Sequence, residues 1–183
     1  VLVCGTLLTG ALVFVDEYTK PIIAKNESLK LKRNVLSAFS IPWGKDDVES
    51  KFSAAIEVIK ATDAEFYRNQ SGDVAMLFSG GGLWGPITGI AALSPSLDTI
   101  RDLTIMHQEE TPGLGSRIAE RLHLDRFKGK KILPALVSVP AGKSRSDTEV
   151  DAITGATLSC NALIEVLNRS FSQSLPVLKG AMK

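Results

Sequence analysis

The stretch Asp151-Ala152-Ile153-Thr154-Gly155-Ala156-Thr157-Leu158-Ser159 places three hydroxyls around one glycine. It runs straight into Leu163, Ile164, Leu167 and Phe171, whose spacing predicts a helix. A helix start offers unpaired backbone N–H groups and the positive end of the helix dipole, which together favour a phosphate. Gly155 and Ala156 are small enough for close approach, and Thr157 would present its hydroxyl at that anion-friendly turn. Asp151 is suited to holding the turn through its side chain. The same residues also make an ordinary capped helix, because Thr154, Thr157 and Ser159 all suit an N-cap. From the residues alone both readings stand.

The bulk of the chain narrows the classes. It has 183 residues, fitting one globular domain with a short accessory segment. Lys and Arg total 21 against 20 Asp and Glu, so no strong field points to nucleic acid. Aromatic residues are 6%, too few for a base-stacking platform. The two cysteines, Cys4 and Cys160, lie far apart and are not expected to pair. His107 and His123 are isolated, so no metal site is expected, and the histidines are assigned surface or polar-core roles.

The elements that must position the turn follow from periodicity. Residues 22–39 read as an amphipathic helix through Leu29, Leu31, Val35, Leu36 and Phe39, broken at Pro42-Trp43-Gly44. Strands are expected at 55–60, 74–78, 87–93 and 100–107, with a glycine-rich turn over 79–86. A loop at 111–115 leads to a helix over 116–122, with Ile118, Ala119 and Leu122 on one face. Residues 132–139 form a strand interrupted by Pro134, and 141–149 a polar loop. The fold class is α+β, a mostly antiparallel sheet with flanking helices. Residues 1–15 carry no charge, which predicts a membrane-spanning helix incomplete at its start. The expected division is an anchor over 1–20, a helical linker over 21–50 and a ligand domain over 51–183. Lys20, Lys25, Lys30, Lys32 and Arg33 follow the anchor and on charge alone would favour a cytoplasmic domain.

The pattern Asp151-x-x-Thr154-Gly155-Ala156-Thr157 resembles the flavinylation motif of FMN-binding domains. Glu110-Thr111-Pro112-Gly113-Leu114-Gly115 resembles a signature of two related subunits. One is the G subunit of Rnf-type ferredoxin:NAD oxidoreductases, and the other is the C subunit of sodium-pumping NADH:quinone reductases. Gly82-Leu83-Trp84-Gly85 resembles a segment typical of that C subunit, and residues 127–131, FKGKK, also fit. The segment from Ser116 to Phe127 lacks a tryptophan-rich stretch and leans towards the Rnf type, which is the favoured assignment.

The resemblance covers roughly residues 74–171 and implies FMN joined through a phosphoester to Thr157 by a flavin transferase that uses FAD. It also implies an electron relay within a membrane-bound, ion-translocating oxidoreductase, alongside other membrane subunits. The domain would stand on the non-cytoplasmic side of a cytoplasmic membrane, behind a single-pass anchor. No catalytic acid, base or nucleophile is required. Leu83, Trp84, Glu110, Thr111, Leu114 and Gly115 would surround the flavin. For Trp84, core packing is an equal reading; for Glu110, a surface carboxylate or helix-terminus charge. The rival class is a membrane-anchored, non-redox ligand-binding module.

Overall fold

The computed structural model describes residues 2–44, 46–61 and 64–182, leaving aside the side chains of residues 2–4, 6 and 7. Cys4 is among these, so its expected lack of a partner lies outside the described residues.

The main sheet has five antiparallel strands in sequence order: β1 (Ile56–Lys60), β2 (Glu65–Asn69), β3 (Val74–Gly81), β4 (Pro86–Leu93) and β5 (Ile100–His107). Successive side chains point to opposite faces of a strand, and here both faces are buried. Val74, Met76, Phe78, Ala91 and Leu93 belong to one core, and Ala75, Ile90 and Ala92 to the other. The first core is covered by α4 (Thr157–Ala181) through Leu163, Leu167 and Phe171. The second is covered by α1 (Leu2–Ala38) and α2 (Val48–Ala55), through Val35, Leu36, Val48 and Phe52. The fold is therefore α+β with an antiparallel sheet and flanking helices.

Several details differ from expectation. Helix α1 runs unbroken through Pro21 and ends at Ala38, with Leu29, Leu31 and Phe39 packed against the core as their spacing predicts. Its early apolar residues, among them Leu8, Leu12 and Phe14, are exposed. The expected spanning helix is not met: among the described residues no helix is long and apolar enough to cross a membrane. Asp16, Glu17 and Lys20 interrupt the apolar part of α1. Lys20 pairs with Asp16 at 2.8 Å and Glu17 at 3.2 Å on the helix surface.

The glycine-rich turn is shorter than expected. Ser79, Gly80 and Gly81 extend β3, and the turn closes over 82–85, where the Gly82 N–H donates to the Gly85 carbonyl at 2.8 Å. The predicted helix over 116–122 is instead a 3₁₀ turn (Gly115–Ala119), the short helix α3 (Arg121–Leu124) and a second 3₁₀ turn (Asp125–Phe127). Extended backbone at Glu120 breaks the helical phase. Leu122 consequently faces out, 73% exposed, while His123, Leu124 and Phe127 go in. Of the strand predicted over 132–139, only β6 (Val137–Val139) forms, after a cis Leu133–Pro134 bond. It pairs in parallel with β7 (Glu149–Asp151), so the polar loop ends in a strand that delivers Asp151 to the turn before α4.

His123 is the polar-core histidine. Its ring packs edge-on against Phe127 with centroids 5.4 Å apart, and Nδ1 has no hydrogen-bond partner. Burial, then the nearby Arg126 and Arg117, push its pKa down to about 4 from 6.5. The unfolded chain therefore binds a proton before the folded one as pH falls. Stability from this residue is complete above pH 6.5 and is lost between 6.5 and about 4, by roughly 3 kcal/mol at most. Denaturant unfolding of wild type and His123→Leu at pH 7 and pH 4.5 checks this. The variant lacks that share of the acid-dependent loss, and equal losses in both proteins contradict it. Phe78→Ala, at a 2% exposed ring between the sheet and α4, should lower stability by about 3–5 kcal/mol in the same assay.

Candidate functional site

Three segments distant in sequence meet beside the start of α4. They are the turn 82–85 between β3 and β4, the loop that follows β5, and the turn between β7 and α4. Together they enclose a cleft of about 340 Å³, within the range of about 300–1,000 Å³ usual for small-molecule sites. The first segment contributes Leu83 and Trp84; the second, Thr111, Leu114 and Gly115; the third, the run from Gly155 to Ser159. Eight residues singled out from the sequence, Leu83, Trp84, Thr111, Leu114, Gly115, Gly155, Ala156 and Thr157, are thus brought together. Glu110, Asp151 and Thr154 are not among the lining residues. None of the lining side chains is charged, and Trp84 is 71% exposed, which rules out core packing for it.

The floor of the cleft is the N-terminus of α4. Gly155 has φ +85°, a left-handed conformation that costs a residue with a side chain and none for glycine. That reversal turns the chain from β7 into α4. The N-cap is Ala156, and no side chain caps the helix. The first N–H groups of a helix have no partner within it, so here they need one from outside. Thr157 is the first helical residue and is exposed, so the expectation that Thr154, Thr157 or Ser159 caps the helix does not hold. Thr154 stays on the surface outside the cleft.

Asp151 braces a different segment from the one expected. Its Oδ1 accepts from the backbone N–H groups of Ser144 and Lys143, both at 2.9 Å, rather than from the Thr154–Gly155 turn. These amides, Ser144 first, hold its carboxyl below the usual range. On the other side Arg126 Nη1 donates to the carbonyls of Asp151 at 2.9 Å and Ala152 at 3.3 Å. Cys160, one turn into α4, accepts from the Ile153 N–H at 3.3 Å and lies 3.9 Å from His123 Nε2; burial pushes its thiol pKa up. The turn is therefore held from its concealed side, and Thr157 lies on the exposed one.

Glu110 is not a surface carboxylate: it sits beside the first turn of α4. It is 3% exposed, and its carboxyl group points inward. Oε1 accepts from the Leu83 N–H at 2.7 Å and the Trp84 N–H at 3.3 Å, and Oε2 from the Ser159 hydroxyl at 2.7 Å. Leu158, 64% exposed, is a cleft residue that the sequence does not single out, and Ser159 is one it offers only as a helix cap. Their place in the first turn beside Thr157 is the available signal. That Ser159 faces Glu110 depends on a contact between residues 49 positions apart.

The sequence pattern of the FMN-binding domain matches residues 82–172, which contain all three cleft segments. The chain is 32% identical over 151 residues to the C subunit of a Na(+)-translocating NADH-quinone reductase from Chlamydia trachomatis, covering 71% of this chain and 44% of that protein. It is 35% identical over 123 residues to its counterpart from Pasteurella multocida, covering 62% and 46%. The chain thus spans less than half the length of these curated relatives. The crystal structure of the corresponding protein from Parabacteroides distasonis superposes with TM-score 0.74 at 25% identity, covering 84% of this chain and 93% of that one. NqrC of Shewanella oneidensis has the same fold, with TM-score 0.67 at 21% identity, covering 78% and 90%. The cleft, its uncapped helix and the matched pattern agree, and the chain belongs to the FMN-binding domain family.

Proposed function

We propose that this chain is a flavin carrier of the NqrC type, holding FMN in the cleft through a phosphoester to the Thr157 hydroxyl. One observation carries the attachment point: Thr157 is exposed at the uncapped N-terminus of α4, within an apolar cleft. The residues present fit the group. The amides at the start of α4 would hold the phosphate, while Leu83, Trp84 and Leu114 offer apolar surface to a planar ring. With no charged side chain lining the cleft, those amides are its main source of positive potential. A free phosphomonoester carries about −1.5 to −2 charge at neutral pH. A diester carries one negative charge, which suits such a site better. Attachment from FAD would form the bond from Thr157 Oγ to the flavin-side phosphorus. The pyrophosphate bond breaks, adenylate leaves, and a flavin transferase takes the hydroxyl proton.

FMN supplies the redox chemistry when bound. The protein holds the ring where partners can reach it, and no residue of the cleft is needed to move a proton. The relatives favour a Na(+)-translocating NADH-quinone reductase over the Rnf complex, so the Rnf assignment gives way to its alternative. In this reading the chain relays electrons between other subunits of a membrane complex. The exposed apolar residues of α1, such as Leu8, Leu12 and Phe14, are available to pack against such partners. The flavin domain stands on the non-cytoplasmic side, as the resemblance implies.

Co-expression with a flavin transferase, followed by denaturing electrophoresis, tests the tether. Wild type and Thr157→Ser give a fluorescent band, and Thr157→Val, which keeps the shape without the hydroxyl, gives none. An unmodified Thr157 peptide in the mass spectrum of wild type made with the transferase sinks the reading.

A further inference from the structure

We infer that Glu110 is a positioning residue for the cleft: without touching the ligand, it locks the Leu83–Trp84 wall to the helix turn that presents Thr157. The inference rests on the FMN reading for its purpose, while its geometry stands independently. One carboxyl group spans the gap, Oε1 accepting from the Leu83 and Trp84 amides and Oε2 from Ser159 Oγ. Ser159 lies two residues beyond Thr157 in the first turn of α4. Both Glu110 and Ser159 are 3% exposed, so water does not compete for the bond between them.

The wall that Glu110 holds has little else to fix it. Leu83 is 44% and Trp84 71% exposed, so their side chains are not locked by packing; their backbone amides are. The glycines of two motif segments leave room for the joint. A Cβ on Gly82 would come within 2.5 Å of Glu110 Oε1, and one on Gly115 within 2.5 Å of Ser159 Oγ and 3.0 Å of the Glu110 side chain. Three segments that look separate in sequence converge on this side chain. Its removal leaves two part-buried amides and a buried hydroxyl without their acceptor, and the two walls can then move apart.

The test uses Glu110→Ala, Glu110→Gln and Ser159→Ala in a Trp43→Phe background, which leaves Trp84 as the sole tryptophan. In the protein before flavin attachment, amide exchange at Leu83 and Trp84 should accelerate about tenfold in Glu110→Ala. It should also accelerate in Ser159→Ala, although Ser159 touches neither amide. Gln keeps an acceptor for the amides and a donor for Ser159 Oγ, so it should restore most of the protection.

After co-expression with the transferase, covalent flavin at Thr157 should fall about fivefold or more in both Ala variants. Quenching of Trp84 emission by the flavin should weaken in the protein that remains labelled. Glu110→Gln should stay near wild type in both readouts. Wild-type exchange and flavin loading in Ser159→Ala overturn the inference, and that single-hydroxyl variant decides the matter if Glu110→Ala does not fold. Faster exchange with unchanged loading and quenching also overturns it, since Glu110 then only stabilises the loops. A wild-type protein that takes no flavin refutes the FMN reading instead, while the exchange result in Ser159→Ala still decides whether Glu110 couples the walls.

Discussion

The structure depends on burying both faces of one antiparallel sheet. Helices α1 and α2 close one face and α4 the other, so neither side is left to solvent. The constraint falls hardest on α4. Leu163, Leu167 and Phe171 pack it against the strands that carry Val74, Met76 and Phe78, while its first turn forms the floor of the cleft. The positions of Thr157 and of the amides beside it are therefore set by core packing, which is far more rigid than a surface loop.

The cleft combines that rigid floor with two loop walls. Its lining is mostly apolar and uncharged, and the charged groups nearby engage protein partners instead. Asp151 engages Ser144 and Lys143, Arg126 the carbonyls of 151 and 152, and Glu110 the amides of Leu83 and Trp84. Charged side chains here serve architecture, and the surface left for a ligand is backbone N–H, the hydroxyls of Thr111 and Thr157 and hydrophobic rims. Such a site suits a group whose own chemistry is complete and needs only placement.

Much of this is legible in the sequence where a signal is local. Strands β4 and β5 and helix α4 follow directly from apolar periodicity, and the left-handed turn from Gly155. Strand β2 escapes pattern reading because Glu65, Arg68 and Asn69 outweigh Phe66 and Tyr67. Helix α2 has only Val48 and Phe52 as buried residues in eight positions. Leu122 reads as inward because Glu120 gives no warning of the break that turns it out. The partners of Glu110 and Asp151 are not readable: a lone carboxylate reads as surface, and the amides that claim it belong to other segments. The uncharged N-terminal run signals apolarity, and Leu8, Leu12 and Phe14 are exposed in it, but no described helix is long and apolar enough to cross a membrane.

The absence of a side-chain cap at Ala156 has a consequence for maturation. A Ser or Asp at that position would satisfy a first-turn amide within the polypeptide, and its lack forgoes about 1 kcal/mol of helix stability. On the proposed reading the phosphate supplies that missing acceptor and, being covalent, cannot dissociate. The unmodified chain then lacks one acceptor at the start of α4, and the modified one has it. Loading the cofactor would then add about 1 kcal/mol to the start of α4, so loaded subunits would resist unfolding slightly more than empty ones.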